Sequence, residues 1–310
     1  MPAPTLSLIV PTRGRRQQLR IMLESVCATA RHPERLEVIL VVDDDEPHIS
    51  ITSLPNLNIR IATGPPGRTM GALNNDGYRA SRGDYIMLLN DDVIIRTRDW
   101  DRLVYRCFRR FPDPIALVHV NDTLMRDFLC TFPILSRAYC ELMGGICPTE
   151  YERYRIDDHI EDVFNILAYL GVRRSIYLPD VIFEHCNTVN HPTAGAVYES
   201  DPAILARDAP RFEKLLPRRK EQAIKAIERI EGNRNELHRT KLSGVTDSFA
   251  LRTAGRQHVI RAPWMRRAPG QLSAVADRLR CCYQRAGIRG IAKALIRRLH
   301  TSGLGSGLEK

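Results

Sequence analysis

"GDYIMLLNDDVII", residues 83–95, is the stretch of sequence that decides the fold. Its apolar run from Tyr85 to Leu89 ends abruptly at Asn90, Asp91 and Asp92, and apolar residues then resume. Carboxylates at the end of a buried strand are costly unless solvent or a positive partner compensates them. The stretch therefore predicts either a solvated turn or a site that holds a cation.

The chain before this stretch alternates between strand-like and helix-like segments. Four short runs, "TLSLIVP", "LEVILVV", "NLNIRIAT" and "YIMLL", are typical of strands, and helical periodicity separates the first two. This alternation predicts an α/β fold with a mostly parallel sheet covered by helices on both faces. Ligands of such sheets bind at the carboxyl ends of the strands. Asp43 and Asp44 follow the second strand and residues 90–92 follow the fourth, so we expect both acidic clusters at one edge.

Composition restricts the class of protein without naming a partner. The net charge of +10 predicts attraction to an anion, such as nucleic acid, a phosphate ester or a lipid surface. No apolar run approaches the roughly 20 residues that span a bilayer, and the start lacks the apolar core of a signal peptide. The eight cysteines have no zinc-like spacing, which favours buried thiols in a reducing compartment. We therefore expect a cytoplasmic protein.

Several residues have chemistry that suits a site at the predicted edge. The oxygen ligands of residues 90–92 suit Mg²⁺ or Mn²⁺, which usually also binds substrate phosphates. Asp43 or Asp44 could accept a hydrogen bond from a nucleobase or ribose, although a solvated turn is the alternative. Farther along, "DDHIEDVFNILAYLG" predicts a helix in which Asp157 and Asp158 cap the start. That leaves Asp162 as a candidate general base.

From about Leu6 to His185 the order of features resembles family 2 glycosyltransferases with the GT-A fold. "SLIVPTRGRRQQLRIMLESV" is similar to that family's first strand and helix, and "VILVVDDDE" to its nucleotide-binding strand end. "GRTMGALNNDGYRASRGDYIMLLNDDV" is the closest match, with residues 90–92 at the D-x-D positions. "GG" and then "IEDVFNILAYLGVRRSIYLPDVIFEH" resemble its acceptor-side motifs. The resemblance implies an inverting hexosyltransferase that uses a nucleotide sugar and a divalent cation, Mn²⁺ or Mg²⁺.

The resemblance also implies roles for individual residues. The expected donor-binding set, to which we add Arg68 because of its charge, is Pro11, Thr12, Arg13, Asp43, Asp44, Arg68, Asn75, Asn90 and Asp91. The metal ligands would be Asp92, Asp91 and His185, and Asp162 would be the general base. The acceptor side would include Gly144, Gly145 and Glu161. Four departures from the family pattern are Asn90, in place of the first D-x-D aspartate; Asp45-Glu46, where Gly-Ser is common; Asn165, where a second Asp is common; and Ile146-Cys147, in place of Phe-Asp after the two glycines.

The predicted organisation has three parts. A GT-A-like catalytic domain over residues 1–205 has a donor half, about 1–95, and an acceptor half, about 96–205. A basic helical extension follows over 206–300, and residues 301–310 are predicted to be disordered. The amphipathic segment 273–300 either packs on the domain or on a second copy, giving a homo-oligomer, or lies on the cytoplasmic face of a membrane near its acceptor. That acceptor would be a saccharide, a lipid-linked glycan or another hydroxyl compound.

Two other functions are compatible with parts of this pattern. A GT-A-like nucleotidyltransferase shares the sheet and metal site, but normally has a glycine-rich phosphate loop where "PTRGRRQQ" has one glycine. A non-catalytic anion-binding or nucleic-acid-binding protein would use the basic surface, yet that charge lies mainly in the C-terminal part. Neither aromatic interleaving nor a known nucleic-acid module is evident. We therefore expect no nucleic-acid partner, and take UDP as the first nucleotide to test.

Overall fold

The structure is a computed structural model that describes residues 5–46, 54, 56–186, 201–232, 235–246 and 258–261. The amphipathic segment 273–300 and the predicted disordered tail 301–310 lie outside these residues, so the predictions for them stay predictions. Among the helices that the structure describes, none combines the length and apolar character required to cross a bilayer.

Strands and helices alternate along the described chain as predicted. The strands are β1 (Leu6–Pro11), β2 (Leu36–Asp43), β3 (Asn58–Gly64), β4 (Tyr85–Leu88), β5 (Val93–Ile95), β6 (Leu117–Asn121), β7 (Ile134–Ser136), β8 (Ser175–His185) and β9 (His258–Val259). The helices are α1 (Arg16–Thr29), α2 (Met70–Ala80), α3 (Trp100–Phe108), α4 (Arg137–Met143), α5 (Ile156–Tyr169), α6 (Pro202–Lys214), α7 (Leu216–Glu231) and α8 (Asn235–Ser243). One 3₁₀ turn, Pro33–Arg35, precedes β2.

The strands form one sheet in the order β3-β2-β1-β4-β7-β6-β8-β5, with β9 paired to β8. Strands β1 to β4 are mutually parallel, as are β6, β8 and β9. Strand β7 runs antiparallel to β4 and β6, and β5 runs antiparallel to β8. The prediction of a mostly parallel α/β sheet is confirmed.

Helices cover both faces of the sheet because side chains of successive strand residues point in opposite directions. In β1, Leu8 joins the core cluster that contains α1 and α3, whereas Ile9 joins the cluster that contains α4, α5 and α7. Helix α2 packs closely on the second face at Gly77, where an added Cβ would lie 2.4 Å from Cγ2 of Ile9. The central strands are therefore covered on both faces, and their carboxyl edge is left for a ligand.

The basic helices after residue 201 contribute buried side chains to the core cluster that contains α5. Helix α7 contributes Ala223, Ile224 and Ile227 to the cluster that contains α5, and all three are buried. The described part of the predicted extension thus packs on the predicted catalytic domain through α7. The domain boundaries at 95 and 205 stay predictions.

Candidate active site

The turn between β4 and β5, which contains Asn90, Asp91 and Asp92, lies beside His185. The apolar residues after Asp92 form β5, in which Val93 pairs with His185 in antiparallel register. This pairing places His185 Nε2 3.2 Å from Asp92 Oδ1 and 3.3 Å from Asn90 Nδ2. The chain therefore resumes its apolar pattern after the carboxylates because it crosses to β8, and this crossing assembles the site.

Arg15 links both carboxylates of this turn to the end of β1. Its Nη1 lies 2.9 Å from Asp91 Oδ1 and 3.0 Å from Asp92 Oδ2. The Thr12 hydroxyl donates to the other oxygen of Asp91 at 2.7 Å, and the Thr12 backbone N–H donates to Val41 O at 3.1 Å. The result is a continuous polar network, Thr12–Asp91–Arg15–Asp92–His185, at the carboxyl edge.

Burial and pairing shift the proton affinities of this network in opposite directions. Burial raises the pKa of Asp91, against the opposing charge of Arg15. Burial also acts to raise the pKa of Asp92, but the hydrogen bond and charge of His185, with the charge of Arg15, outweigh it and lower the pKa. For His185 burial disfavours the charged form, yet the pairing with Asp92 prevails and raises the pKa. Pairing thus favours the charged forms of both Asp92 and His185.

The acidic cluster at the end of β2, residues 43–46, lies at the same edge of the sheet, and two arginines bind its first carboxylate. Asp43, at the end of β2, receives hydrogen bonds from Arg13 at 2.7 Å and from Arg68 at 3.0 Å. Arg68 also contacts Asp76 Oδ2 at 2.7 Å and the carbonyl of Val42 at 2.8 Å. The charge-based expectation that Arg68 lies at this site is consistent with its position, and its contact with a donor stays a prediction.

The Asp45-Glu46 departure from the family pattern has a structural role. Asp45 forms a two-point ion pair with Arg13, with N···O distances of 2.7 and 2.9 Å. Glu46 Oε1 accepts the backbone N–H of Gly14 at 2.9 Å. These contacts tie the turn after β2 to the turn after β1. Asp44 is exposed, and its backbone N–H donates to Gly64 O at 2.9 Å.

Asn75 connects the two predicted halves of the site. Its Nδ2 donates to Gly71 O at 2.7 Å and to Cys147 O at 2.8 Å, while its Oδ1 accepts from Ile146 N–H at 3.2 Å. Gly145, at φ +152°, passes so close that an added Cβ would lie 2.5 Å from Asn75 Oδ1. Asn75 thus fixes the glycine turn that is predicted to face the acceptor, and a direct donor contact stays a prediction.

The α4 helix ends at the glycine pair expected on the acceptor side. Gly144 has φ +76° and is the left-handed C-terminal residue that commonly ends a helix. Its N–H donates to Glu141 O at 3.1 Å, and that of Gly145 to Cys140 O at 2.9 Å. The pair therefore has a local structural reason, and its contact with an acceptor stays a prediction.

Asp162 lies in the interface between α5 and α7. Its Oδ2 is 2.5 Å from Nε of Arg219, and the two side chains are 1% and 0% exposed. The Arg219 guanidinium also lies 3.7 Å from the ring centroid of Phe212. Glu161, beside Asp162, is likewise buried. In this arrangement the Asp162 carboxylate is shielded from an acceptor, and its role as general base stays a prediction.

The predicted capping of α5 by its two N-terminal aspartates is wrong. The N-cap residue is Arg155, which has φ +71° and makes no side-chain capping bond. Asp157 and Asp158 lie in the first turn, where the helix dipole favours carboxylates. Asp158 Oδ2 lies 3.5 Å from Nη1 of Arg155. Asp157 is half-buried, and its backbone carbonyl accepts a hydrogen bond from the Cys130 thiol at 3.4 Å.

Asp122 is a site residue that the sequence did not suggest. Its buried Oδ1 accepts the backbone N–H groups of Leu124, Met125 and Arg126 at 2.7–3.0 Å, and Oδ2 accepts the Thr131 hydroxyl at 2.8 Å. Its carbonyl accepts the N–H of His185 at 3.3 Å. Residues 122–133, between β6 and β7, therefore form a loop that Asp122 organises at its start.

The donors present at the β4–β5 turn suit a divalent cation in part. Across the residues that the structure describes, no group of three or more His, Cys, Asp or Glu side chains is arranged to enclose a metal ion. Asp92 Oδ1 and His185 Nε2 nevertheless meet at one point, and carboxylate oxygen and imidazole nitrogen both suit Mn²⁺. Asp91 is directed instead towards Thr12 and Arg15. The residues fit a cation that takes its remaining ligands from substrate and water.

Comparisons with solved structures give distant matches. The mannosyltransferase PcManGT of Pyrobaculum calidifontis, in complex with GDP-Man and Mn²⁺, is 16% identical, with 82% of this chain and 86% of that chain covered and a TM-score of 0.48. TarS 1–349 of S. aureus, in complex with UDP-GlcNAc, is 13% identical, with 96% and 92% covered and a TM-score of 0.49.

Comparison with sequence families gives the assignment. No curated protein matches the chain. Residues 7–122 match the family model described as Glycosyl transferase family 2. This segment runs from β1 to the residue after β6, and it contains Thr12, Arg15, the turn after β2 and the turn at residues 90–92. The chain therefore contains a glycosyl transferase family 2 domain at residues 7–122.

Proposed function

We propose that the chain transfers a sugar from a nucleoside diphosphate sugar to an acceptor hydroxyl with inversion at the anomeric carbon. The observation that carries this proposal is the meeting of Asp92 and His185 at the carboxyl edge, on the same network as Thr12. Asp43 lies at the end of β2, the neighbour of the strand β1 that Thr12 follows. A nucleoside diphosphate bound between these two clusters would have its nucleoside near Asp43 and its diphosphate near Asp92.

The protein residues divide the donor between them by charge and hydrogen-bonding capacity. The Asp43 carboxylate, held by Arg13 and Arg68, accepts a hydrogen bond from the nucleoside, for which UDP is the first candidate. Arg13 and Arg68 remain beside it to meet the diphosphate. Asp92 and His185 would hold Mn²⁺ or Mg²⁺, which when bound neutralises charge that develops on the departing diphosphate.

Transfer is a single displacement at the anomeric carbon. The acceptor oxygen forms the new glycosidic bond as the bond from carbon to phosphate oxygen breaks, and the electron pair of that bond leaves with the diphosphate. A carboxylate takes the proton from the acceptor hydroxyl. Because attack occurs from the face opposite the leaving group, the configuration inverts. General-base assistance contributes about 10²–10⁴-fold to the rate of such steps.

Asp162 is the proposed base, subject to one structural condition. Its carboxylate is paired with Arg219 in a buried interface, so it can serve an acceptor only if the α5–α7 contact rearranges. Among the carboxylates of α5, Asp157 is half-buried, whereas Asp158, Glu161 and Asp162 are buried, so Asp157 is the alternative base to test. Variants of both residues can assign the base.

Product analysis separates this function from its rivals. The full chain is incubated with Mn²⁺ and a panel of UDP- and GDP-sugars, with saccharide acceptors or water, and released nucleoside diphosphate is measured. A parallel incubation supplies nucleoside triphosphates and sugar 1-phosphates and measures pyrophosphate. We expect nucleoside diphosphate from one donor class; pyrophosphate release alone would support a nucleotidyltransferase. Neither product, together with tight oligonucleotide binding, would support a non-catalytic protein.

A further inference from the structure

The Arg15 guanidinium occupies the space between the two carboxylates of the β4–β5 turn. One nitrogen, Nη1, lies within 3.0 Å of both Asp91 Oδ1 and Asp92 Oδ2. All three side chains are at most 14% exposed, so solvent screens these charges weakly. Arg15 therefore supplies the positive charge that these carboxylates need in the donor-free chain.

The position of Arg15 opposes a second cation at the same turn. A divalent ion on Asp92 Oδ1 and His185 Nε2 would share the Asp92 carboxylate with the guanidinium. Like charges on one partly buried carboxylate repel strongly because the effective dielectric constant there is well below that of water. Cation binding is thus disfavoured while Arg15 keeps this position.

A diphosphate would remove this conflict. It adds negative charge and several acceptor oxygens, and a guanidinium forms strong paired hydrogen bonds with such groups. Arg15 lies directly before α1, on the turn that follows β1, and can therefore turn towards a neighbouring ligand without disturbing a strand.

We propose that Arg15 holds the cation site closed in the donor-free chain and that a bound diphosphate opens it. Arg15 is thus a positioning residue that makes cation binding conditional on the donor. This inference rests on the proposed function for the identity of the diphosphate, but its first half concerns the donor-free chain alone. Binding of the cation and of the nucleotide becomes positively coupled, and the coupling is reciprocal.

The experiment measures Mn²⁺ affinity by the electron paramagnetic resonance signal of free Mn²⁺. Wild-type chain, Arg15→Gln and Arg15→Met are titrated alone and with UDP or GDP, and protein-free titrations correct for Mn²⁺–nucleotide complexes. Arg20→Gln is the matched control, because it removes one positive charge from an exposed position of α1 that contacts Glu24. Arg15→Lys keeps the charge and should therefore stay close to wild type in the titration without nucleotide.

We expect both uncharged variants at residue 15 to bind Mn²⁺ roughly tenfold or more tightly than wild type without nucleotide. Wild type should gain a similar factor from nucleotide, and the variants should gain less. Unchanged or weaker Mn²⁺ binding in both variants would overturn the proposal, as would an equal gain in Arg20→Gln. If nucleotide binds but the variants leave Mn²⁺ affinity unchanged, the inference fails alone. If the variants bind Mn²⁺ more tightly but no nucleotide binds, the proposed function fails and the role of Arg15 in the donor-free chain stands.

Discussion

Nε of Arg219 lies 2.5 Å from Oδ2 of Asp162, and both side chains are almost completely buried. The contact joins α5, the helix predicted to face the acceptor, to α7, the helix of the basic extension that packs on it. Asp162 therefore has a structural partner as well as a proposed catalytic role. A substitution of Asp162 alone would disturb both, so the two roles need separate variants.

We predict that Asp162→Asn lowers the free energy of unfolding and abolishes transfer. Removing one partner of a buried ion pair typically costs about 3–5 kcal/mol, because the other charge is left uncompensated. The double variant Asp162→Asn with Arg219→Met removes both charges and should recover most of this stability. Urea denaturation measures the stability, and nucleotide release measures transfer.

The double variant decides the catalytic role. If Asp162 is the base, the double variant folds stably and binds nucleotide but does not transfer the sugar. If the double variant recovers both stability and sugar transfer, the role of Asp162 is purely structural. Asp157→Asn then tests the alternative base.

We predict that Asp43→Asn weakens binding of the donor nucleotide by about 10- to 100-fold, the usual contribution of a hydrogen bond to a charged group. Asp43 is the carboxylate shared by Arg13 and Arg68 at the end of β2. Asp45→Asn is the matched control, because it removes a contact with Arg13 from a more exposed position. Isothermal titration calorimetry measures both. Equal losses in the two variants would mean that Arg13 alone, and not the Asp43 carboxylate, determines nucleotide affinity.

We predict that His159 makes the chain lose stability in mild acid. Burial lowers the pKa of His159 to about 3. The neutral ring is fully used, because Nε2 contacts Gln222 Oε1 at 2.8 Å and Nδ1 contacts the Tyr151 hydroxyl at 3.0 Å. Since the folded pKa lies below the unfolded value near 6.5, this contribution is complete above pH 6.5 and is lost as pH falls towards 3.

The magnitude of this effect follows from proton uptake by the unfolded chain. Between pH 7.5 and 5 the folded state should lose about 2 kcal/mol relative to a chain that lacks this histidine. Urea denaturation of wild type and His159→Gln at both values tests it, since other titrating groups are common to the two proteins. The same loss between these pH values in both proteins would contradict the assignment.

We predict that Asp122→Ala loosens the loop after β6 and weakens Mn²⁺ binding. The substitution removes the carboxylate that accepts three backbone N–H groups and one hydroxyl. The backbone carbonyl of residue 122 remains and accepts the N–H of His185, so a looser loop also disturbs the position of His185. Amide hydrogen exchange at residues 124–126 should accelerate at least tenfold, the effect of about 1.4 kcal/mol. Thr131→Val removes only the hydroxyl contact and should have a smaller effect. Unchanged exchange in Asp122→Ala would show that the loop is held by other contacts.

The sequence could predict the strand ends but not the side-chain partners. The apolar runs and the carboxylates after them located Asp43 and residues 90–92 at one edge, because parallel strands align their carboxyl ends. His185 was also expected there. Arg219 could not be assigned to Asp162, since it lies 57 residues away among several arginines with similar spacing. Asp122 was missed because a single aspartate after a strand has no distinctive pattern.

The capping error at α5 has a similar origin. Two adjacent aspartates before an apolar helix predict an N-cap, but the left-handed conformation of Arg155 starts the helix earlier and moves both into the first turn. Local propensity fixed the helix to within a few residues, whereas the conformation of the preceding turn depends on packing with distant segments. The side-chain environment of α5 was therefore less predictable than its existence.

Isothermal titration of the full chain with UDP and with GDP, each with and without Mn²⁺, tests the central claim most directly. The Asp92→Asn variant is the control, because it removes the proposed cation ligand next to His185. The account predicts that one nucleotide binds wild type roughly tenfold or more tightly with Mn²⁺, and that this gain is lost in Asp92→Asn. Failure of both nucleotides to bind wild type, with or without Mn²⁺, would contradict it.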